Sequence, residues 1–267
     1  MMAIEWVLAF ISLGVFAGFM AGLLGIGGGG IMVPLLTSIF LAQGIDPSNV
    51  VHLALGTSMA TIVTTSFSSM RAHHANGGVL WPIVKRMTPG VLIGTFLATF
   101  VAAQIPSLYL AIFFAVFMGY VSIQMFINKK PSSSHQAASS LELLSVGGGI
   151  GAISALVSIG GGSLTVPYLT WRNVDIKKAI GTSAAMGLPI SLAGAFGYLL
   201  NSDAGIASIP YAVGFVYVPA VLIMSLFSYF TAPFGARLAH RLPVGILKKV
   251  FGVLLMLLSA KMLLSLW

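Results

Sequence analysis

Cysteine is absent from the 267-residue sequence, and acidic residues are scarce, with five Asp and Glu against thirteen Lys and Arg. The lack of cysteine excludes disulfides, thiolate metal sites and cysteine nucleophiles. Charged residues make up only 7% of the chain, far below the proportion of about a quarter in soluble domains. The sequence also lacks the phosphate-binding pattern GxxxxGK followed by Ser or Thr, the zinc pattern HExxH, and a recognisable pair of nucleophile and base. Nothing in it therefore predicts an enzyme, an ATP-driven pump or a bound cofactor.

Hydrophobic residues make up 58% of the sequence, and the mean hydropathy is +1.02. Apolar runs of about 20 residues recur along the chain, and each is long enough to cross a hydrocarbon core about 30 Å thick. Runs such as 108–127 do not alternate in polarity, as the strands of a membrane barrel would. The sequence predicts an all-α polytopic membrane protein with about eight to ten hydrophobic segments, near 4–24, 31–43, 50–70, 86–104, 107–128, 142–158, 163–171, 178–200, 209–232 and 247–266.

Two of these segments, 31–43 and 163–171, are too short to span a bilayer at about 1.5 Å per residue. Each follows a cluster of glycines and contains a proline, Pro34 in the first and Pro167 in the second. Irregular backbone at membrane depth is tolerated only where it is buried in protein or lines a cavity. We therefore expect each short segment to be one half of a glycine-broken helical hairpin, and both a spanning and a re-entrant hairpin stay open.

The two hairpins belong to an internal duplication. The stretch LLGIGGGGIMVPLL from Leu23 lies over LVSIGGGSLTVPYL from Leu156 at a displacement of 133 positions, and LGTSMA from Leu55 lies over IGTSAA from Ile180 at a displacement of 125. A polar, Ser-rich stretch between the copies has the composition of a solvated linker. We expect a first transmembrane repeat over 1–128, a cytoplasmic linker over 129–141 and a second repeat over 142–267, each with one hairpin followed by three transmembrane helices.

Basic residues predict the orientation, because short loops rich in Lys and Arg stay cytoplasmic. The segments around Asp46, Gln104 and Asp203 carry none and are placed outside, so the two repeats are inverted and both termini lie outside the cell membrane. The net charge of +8 is then a topology signal with some attraction to the anionic lipids of the bilayer, and it does not predict a nucleic-acid partner. Twelve of the thirteen basic residues form four inside clusters: Arg71, Lys85 and Arg86; Lys129 and Lys130; Arg172, Lys177 and Lys178; Arg237, Arg241, Lys248 and Lys249.

Gly25, Gly27 and Gly30 match the dinucleotide-binding pattern GxGxxG. That pattern needs a strand before the glycines in a soluble βαβ unit, whereas the residues before Gly25 form an apolar helix. A glycine cluster at membrane depth instead breaks a helix and exposes backbone N–H groups and the positive end of the next helix dipole. Such an end binds a negative group without a fixed positive charge, and two inverted repeats would bring two of them to the midplane.

The predicted substrate site combines the two glycine clusters with the Gly-Thr-Ser motif of each repeat. Gly14, Gly18, Gly22, Gly147 and Gly151 recur at four-residue spacing and are interpreted as helix-packing ridges. For the Thr and Ser hydroxyls both interpretations stay open, because such side chains often bond back to their own helix. The expected binding residues are Gly27, Gly28, Gly29, Gly30, Thr57, Ser58, Gly160, Gly161, Gly162, Ser163, Thr182 and Ser183.

Ionisable groups give little support for coupling to a cation gradient. The five acidic residues fall at segment ends or in loops, whereas a proton relay or sodium site would be expected mid-helix. His52, near a helix start, and His73 and His74, in an inside loop, could titrate, but histidines in loops and at helix ends are usually only solvated, and we expect that here. Export driven by the membrane potential or by the substrate gradient is as good an interpretation as export coupled to a cation gradient.

The motifs GxxAGLLGIGGGGIMVPLL and SIGGGSLTVPYL, with the two Gly-Thr-Ser motifs, resemble those of the sulfite exporter TauE/SafE family of membrane permeases over nearly the whole chain. The resemblance implies export of sulfite, sulfoacetate or related small oxyanions and organosulfonates. From the residues themselves we expect alternating access around a midplane anion site. The alternatives are an anion channel, since channels also use helix N-termini, and a permease for a different carboxylate or oxyanion. The small-residue faces would also suit a homodimer.

Overall fold

The computed structural model describes residues 3–25, 27–127, 139–202 and 204–264. Helices account for nearly all of the regular structure, with one two-stranded antiparallel hairpin in the second half. In chain order the elements are α1 (Ile4–Leu24), α2 (Gly29–Ala42), α3 (Pro47–Ala75), α4 (Trp81–Gln104), α5 (Ser107–Ile127), α6 (Ser140–Val157), α7 (Gly162–Trp171), α8 (Ile176–Leu200), α9 (Ala204–Ala207), β1 (Ala212–Val213), β2 (Val216–Tyr217), α10 (Val218–Arg241) and α11 (Val244–Leu264).

Seven helices within the described residues are long and apolar enough to cross a membrane. The all-α polytopic membrane fold predicted from the sequence is therefore confirmed. α2 has 14 residues and α7 has 10, which correspond to lengths of only about 21 and 15 Å, in agreement with the two short segments. The linker expected over 129–141 lies mostly outside the described residues, but its last two residues are helical, because Ser139 caps the start of α6.

The helix expected over 209–232 is the clearest error in the predicted boundaries. The chain forms the β1–β2 hairpin first, and α10 then runs from Val218 to Arg241. Tyr211 and Gly214 both have positive φ, at 65° and 54°, so this stretch turns and cannot continue a helix. Pro219 at the start of α10 suits a helix N-terminus, where its missing N–H costs nothing.

Each half of the chain contains one antiparallel helical hairpin. In the first, the ring of Phe10 near the start of α1 lies 6.4 Å from the ring of Phe40 near the end of α2. In the second, Tyr168 near the end of α7 donates a 2.9 Å hydrogen bond to the carboxylate of Glu142 in the first turn of α6. Glu142 also pairs with Arg172. We call the breaks between the helices, residues 25–28 and 158–161, the first tip and the second tip.

The glycine ridges form two close helix–helix seams. A Cβ on Gly18 of α1 would lie 2.5 Å from the Cα of Ser228 in α10. A Cβ on Gly151 of α6 would lie equally close, at 2.5 Å, to the carbonyl oxygen of Val91 in α4. Glycine is needed at both places because the neighbouring backbone occupies the space of a side chain. The packing interpretation of these ridges is therefore correct.

α3 and α8 form the centre of the molecule and run antiparallel. The backbone N–H of Leu80, just beyond the end of α3, bonds to Thr182 near the start of α8. At the other end of the pair, Gly197 near the end of α8 packs against Thr99 near the end of α4. The α4–α5 turn, which follows Thr99, contacts His52 near the beginning of α3. The remaining helices surround this pair, so the middle of α3 and α8 is buried.

Candidate functional site

The first tip and the second tip have matching backbone conformations. Gly25 is the C-cap of α1 and Ser158 is the C-cap of α6, and both are in the left-handed region with φ of 68° and 47°. α2 and α7 begin after Gly28 and Gly161, again left-handed, with φ of 85° and 79°. Glycine is favoured at such positions because a Cβ clashes with the following carbonyl. The consecutive glycines therefore allow two sharp turns within a few residues.

The two tips touch each other. A Cβ placed on Gly27 would lie 2.9 Å from the Cα of Gly160, and one placed on Gly29 would overlap the carbonyl oxygen of Ser158. The glycine clusters predicted for the site are therefore brought together, although more than 130 residues separate them in the sequence. This close approach gives a second reason for glycine here, besides the positive φ.

The tips lie halfway along α3 and α8. Ile62, in the middle of α3, contacts the positions where Gly27 and Gly29 would carry a Cβ. Gly187, in the middle of α8, would place a Cβ 3.2 Å from the carbonyl oxygen of Gly160, and Ile190 contacts Gly161 in the same way. The contact between the tips is therefore at the centre of the protein, at about half the length of its two central helices.

Two helix N-termini are buried at this centre. Gly29 and Gly30 open α2, and Gly162 and Ser163 open α7, and all four are buried. The first N–H groups of a helix have no partner within it, and the N-caps are glycines that offer no side-chain acceptor. The site therefore presents backbone donors and the positive ends of two helix dipoles in a buried setting, an arrangement that favours an anion.

Ser66, Ser163 and Thr165 at the tips, and Ser58 one helical turn before Ile62 on α3, have buried hydroxyls without a hydrogen-bond partner among the described residues. Thr165 Oγ1 would lie 3.3 Å from a Cβ on Gly161, and Ser66 packs against Gly187. Buried polar groups are nearly always satisfied, so such a cluster calls for a polar ligand or water. Of these four, Ser58 and Ser163 were predicted from the sequence.

The two threonines of the Gly-Thr-Ser motifs have equivalent structural partners. Thr57 Oγ1 accepts a 2.9 Å hydrogen bond from the N–H of Tyr217, the N-cap residue of α10. Thr182 Oγ1 accepts a 3.0 Å bond from the N–H of Leu80, the N-cap residue of α4. Thr57 thus holds the start of α10 against α3, and Thr182 holds the start of α4 against α8.

The serines near the tips fasten them to the central helices. Ser183 Oγ donates a 2.9 Å bond to the carbonyl oxygen of Gly25, and Ser158 Oγ donates a 3.1 Å bond to the carbonyl oxygen of Leu55. These bonds tie the first tip to α8 and the second tip to α3. The hydroxyl proton of Ser183 is therefore already used within the protein, whereas that of Ser58 is not.

The expectation that His52 and His73 are solvated is wrong. His52 is 4% exposed and His73 is 1% exposed, and His73 Nε2 lies 3.2 Å from the carbonyl oxygen of Gly22. Both lie within α3, which is longer at each end than the segment 50–70 predicted from hydrophobicity. His74, the next residue, is exposed as expected.

The described acidic residues lie at helix starts, as the sequence predicts. Asp46 and Asp175 cap α3 and α8, and Glu5 and Glu142 lie in first turns. Hydrogen bonds from the Ser48 side chain and backbone N–H hold the pKa of Asp46 below its ordinary value. These carboxylates serve helix termini and are remote from the tips.

Thr165 and Ile190 lie against Gly161 and were not predicted from the glycine and Gly-Thr-Ser motifs. Three more unpredicted residues lie on α3 and α8. Ile62 and Ser66 follow Ser58 by four and eight positions on α3, and Gly187 follows Ser183 by four on α8. Residues at this spacing share a helix face. The helical period, applied to the motif serines, is the signal that would have found them.

A groove of about 380 Å³ opens away from the tips, between α1 and α2. Its walls are mostly apolar, and Lys261 lies at its margin. None of the glycines of the tips and none of the unpartnered hydroxyls line it, so it is separate from the candidate site.

Comparison with known proteins matches nearly the whole chain to membrane transporters. The sequence model described as sulfite exporter TauE/SafE matches residues 10–262. A probable membrane transporter protein of Haemophilus influenzae is 34% identical over 261 residues, which cover 97% of this chain and 99% of the relative. No solved structure matches the chain.

Two further relatives have the same description. A probable membrane transporter protein of Methanocaldococcus jannaschii is 27% identical over 87% of this chain and 86% of its own length. Another, from Bacillus subtilis, is 26% identical over 86% of this chain and 89% of its own length.

Proposed function

The chain belongs to the sulfite exporter TauE/SafE family of membrane transporters, and we propose that it exports small anions, with sulfite or organosulfonates such as sulfoacetate as substrates. The family and its relatives support a multi-pass membrane transporter rather than an enzyme. The family name provides the sulfur substrate class, and the chemistry of the site provides the preference for an anion.

The observation that carries the proposal is the contact between the two tips. Two uncapped helix N-termini lie at the centre of the fold with the unpartnered hydroxyls of Ser66, Ser163 and Thr165, and Ser58 lies one turn from Ile62 on α3. Sulfite and sulfonate groups carry several oxygens that accept hydrogen bonds from such donors. We propose that the substrate binds between the N-termini of α2 and α7, with Ser58 and Ser163 as the nearest side-chain donors.

We further propose that the two halves, 1–128 and 142–267, are inverted repeats that move relative to each other during transport. Three features support the inversion: α3 and α8 are antiparallel, the two hairpins contact each other at their tips, and the seam of α1 with α10 has its counterpart in the seam of α6 with α4. Repeats related in this way place substrate between them and expose it to each side in turn.

The distribution of basic residues supports an orientation with both termini outside the cell membrane. The end of the molecule formed by the α3–α4 and α7–α8 connections carries Arg71, Lys85, Arg86, Arg172, Lys177 and Lys178. At the opposite end, the α2–α3 and α4–α5 turns carry no Lys or Arg. The basic end is cytoplasmic in this proposal.

The membrane potential would then drive export without a coupling ion. Moving one negative charge outward gains about 2.3 kcal/mol for each 100 mV, inside negative. Sulfite efflux from proteoliposomes that contain the purified protein tests the proposal. Saturable efflux that is stimulated by sulfite on the opposite side supports a carrier. Unsaturable flux at rates far above carrier turnover supports an anion channel instead, and flux of carboxylates alone would reassign the substrate class.

A further inference from the structure

The groove between α1 and α2 opens on the surface of the protein that faces the bilayer. Its walls are formed by residues within 6–16 of α1 and 35–42 of α2. Large apolar side chains beside it are exposed, with Leu8 of α1 at 56% and Leu264 of α11 at 76%. Lipid tails are as apolar as leucine and are the natural surroundings of such side chains in a membrane protein. The groove is therefore open to the acyl chains of the membrane.

The length of the groove matches one leaflet of a bilayer. Residues 6–16 of α1 extend over about 15 Å at 1.5 Å per residue, which is half of a hydrocarbon core about 30 Å thick. The volume of about 380 Å³ lies within the range of about 300–1,000 Å³ that is usual for small-ligand sites. One acyl chain can therefore lie in the groove from the level of the headgroups to the middle of the membrane.

The hydroxyls along the groove are already used within their own helices. Ser12 Oγ donates a 2.8 Å hydrogen bond to the carbonyl oxygen of Leu8. Ser38 Oγ donates a 3.0 Å hydrogen bond to the carbonyl oxygen of Pro34. A small anion in the groove would gain no hydrogen bond from either hydroxyl, whereas a hydrocarbon chain needs none. The walls therefore suit an apolar occupant.

Lys261 is the one charged residue among the described residues that line the groove. It is exposed, lies in the last turn of α11, and is the thirteenth basic residue, outside the four basic clusters. Glu5, in the first turn of α1, forms no ion pair with it in the part of the chain that the structure describes. A lysine near the end of a membrane helix places its ammonium group at the headgroups, the level at which Trp6 also belongs.

We propose that this groove binds an anionic phospholipid, with one acyl chain between α1 and α2 and the headgroup phosphate at Lys261. Burial of the chain provides the attraction to lipid, and the lysine provides the selection for negative charge. A zwitterionic phospholipid fits the groove equally well, but its own ammonium group offsets the charge of its phosphate. The site goes beyond the proposed function and does not depend on the transported substrate. Its assignment to the outer leaflet rests on the proposed orientation.

Trp6 allows the site to be tested by fluorescence, because it lines the groove and brominated acyl chains quench tryptophan on contact. Trp81→Phe, Trp171→Phe and Trp267→Phe together leave Trp6 as the sole tryptophan. This protein is reconstituted into vesicles of phosphatidylglycerol and phosphatidylcholine in which one lipid at a time is brominated. We expect an about fivefold preference for phosphatidylglycerol at Trp6, which corresponds to about 1 kcal/mol for one lysine near the surface.

Two pairs of variants separate the headgroup contact from the chain contact. Lys261→Gln should abolish the preference, whereas Lys85→Gln, which removes an exposed lysine at the basic end, should retain it. Ser12→Phe fills the groove and should also abolish the preference, although Lys261 is still present. Val15→Phe is the matched control, because Val15 is exposed on the same helix and does not line the groove.

Several results would overturn the assignment. One is equal quenching of Trp6 by the two lipids, and another is a preference that persists in Lys261→Gln, which would leave the lysine only a role at the negative end of the α11 dipole. Relief of quenching by sn-glycerol 3-phosphate, which has no acyl chain, would show a phosphate site instead of a lipid site. Weak quenching by both lipids, with disulfide-linked dimers of Ser38→Cys, would assign the groove to a second copy of the chain. The measurement contains no transported anion, so failure of the proposed function would leave its result unchanged.

Discussion

Gly27 and Gly160 are in direct contact, close enough that a Cβ on Gly27 would lie 2.9 Å from the Cα of Gly160. The two residues belong to different halves of the chain, and each lies in the break between the helices of a hairpin. Their contact joins the first tip and the second tip into one centre. A rearrangement of one half against the other would change this contact, which is why we propose that the substrate binds there.

Side chains larger than glycine at the tips should abolish transport. Gly28 and Gly161 have φ of 85° and 79°, where a Cβ costs about 1–2 kcal/mol, and Ile190 already fills the space beside Gly161. Gly28→Leu or Gly161→Leu should remove anion flux while the protein still reaches the membrane as a folded species, measured by uptake and size-exclusion profile. The matched control is Gly149→Leu, because nothing lies within 4 Å of a Cβ there. Normal flux in both tip variants would refute the site assignment.

Alanine substitutions of the two motif serines should have different effects, one on substrate binding and the other on protein stability. Ser58→Ala removes a buried hydroxyl that has no partner among the described residues, so we expect an increased Michaelis constant with little change in thermal stability. Ser183→Ala removes the bond to the Gly25 carbonyl and should lower stability by about 1 kcal/mol. Unchanged kinetics in Ser58→Ala would show that its hydroxyl does not touch the substrate.

Substitution of either motif threonine should mainly lower the stability of the protein, and the two decreases should be similar. Thr57→Val and Thr182→Val each leave a backbone N–H without its acceptor, that of Tyr217 or Leu80. The expected cost is about 1–3 kcal/mol in each case, seen as a lower midpoint of thermal unfolding in detergent. Thr57→Ser and Thr182→Ser keep the acceptor oxygen and serve as controls. Equal stability of the Val and Ser variants would mean that these bonds contribute nothing.

Introduced cysteines can test the orientation without background, because the chain has none of its own. Ser202→Cys, exposed at the end opposite the basic clusters, should react with an impermeant thiol reagent applied to intact cells. Asn76→Cys at the end of α3, and Ser133→Cys in the predicted linker, should react only after the membrane is permeabilised. The reverse pattern would invert the proposed topology.

Local sequence signals predicted the hairpins well. Consecutive glycines are costly inside a helix, and at both tips they coincide with the starts of α2 and α7. The ridges at Gly14, Gly18 and Gly22 also follow from four-residue spacing, since helix periodicity is a local property. The contact between Gly27 and Gly160 is not local, and only the duplication indicated that two equivalent segments would approach each other.

The errors have a common physical origin in tertiary contacts. His52 is polar and close to a helix start, so sequence reasoning placed it in water, but the α4–α5 turn and Phe215 cover it. The residues 209–217 are apolar enough for a helix, yet Tyr211 and Gly214 turn the chain into a hairpin. Likewise, the partner of Ser183 is a carbonyl on the other half of the chain, which no local pattern specifies.

The most direct test of the anion site is ligand-induced thermal stabilisation of the purified protein, measured with sulfite, sulfate, thiosulfate, sulfoacetate, taurine, acetate and chloride. A ligand that binds only the folded state raises its unfolding temperature, and the increase grows with the logarithm of the ligand concentration above the dissociation constant. The account predicts a selective increase with one sulfur oxyanion or sulfonate, and a much smaller increase in the double variant Ser58→Ala with Ser163→Ala. No stabilisation by any anion well above millimolar concentration, or equal stabilisation of the double variant, would contradict it.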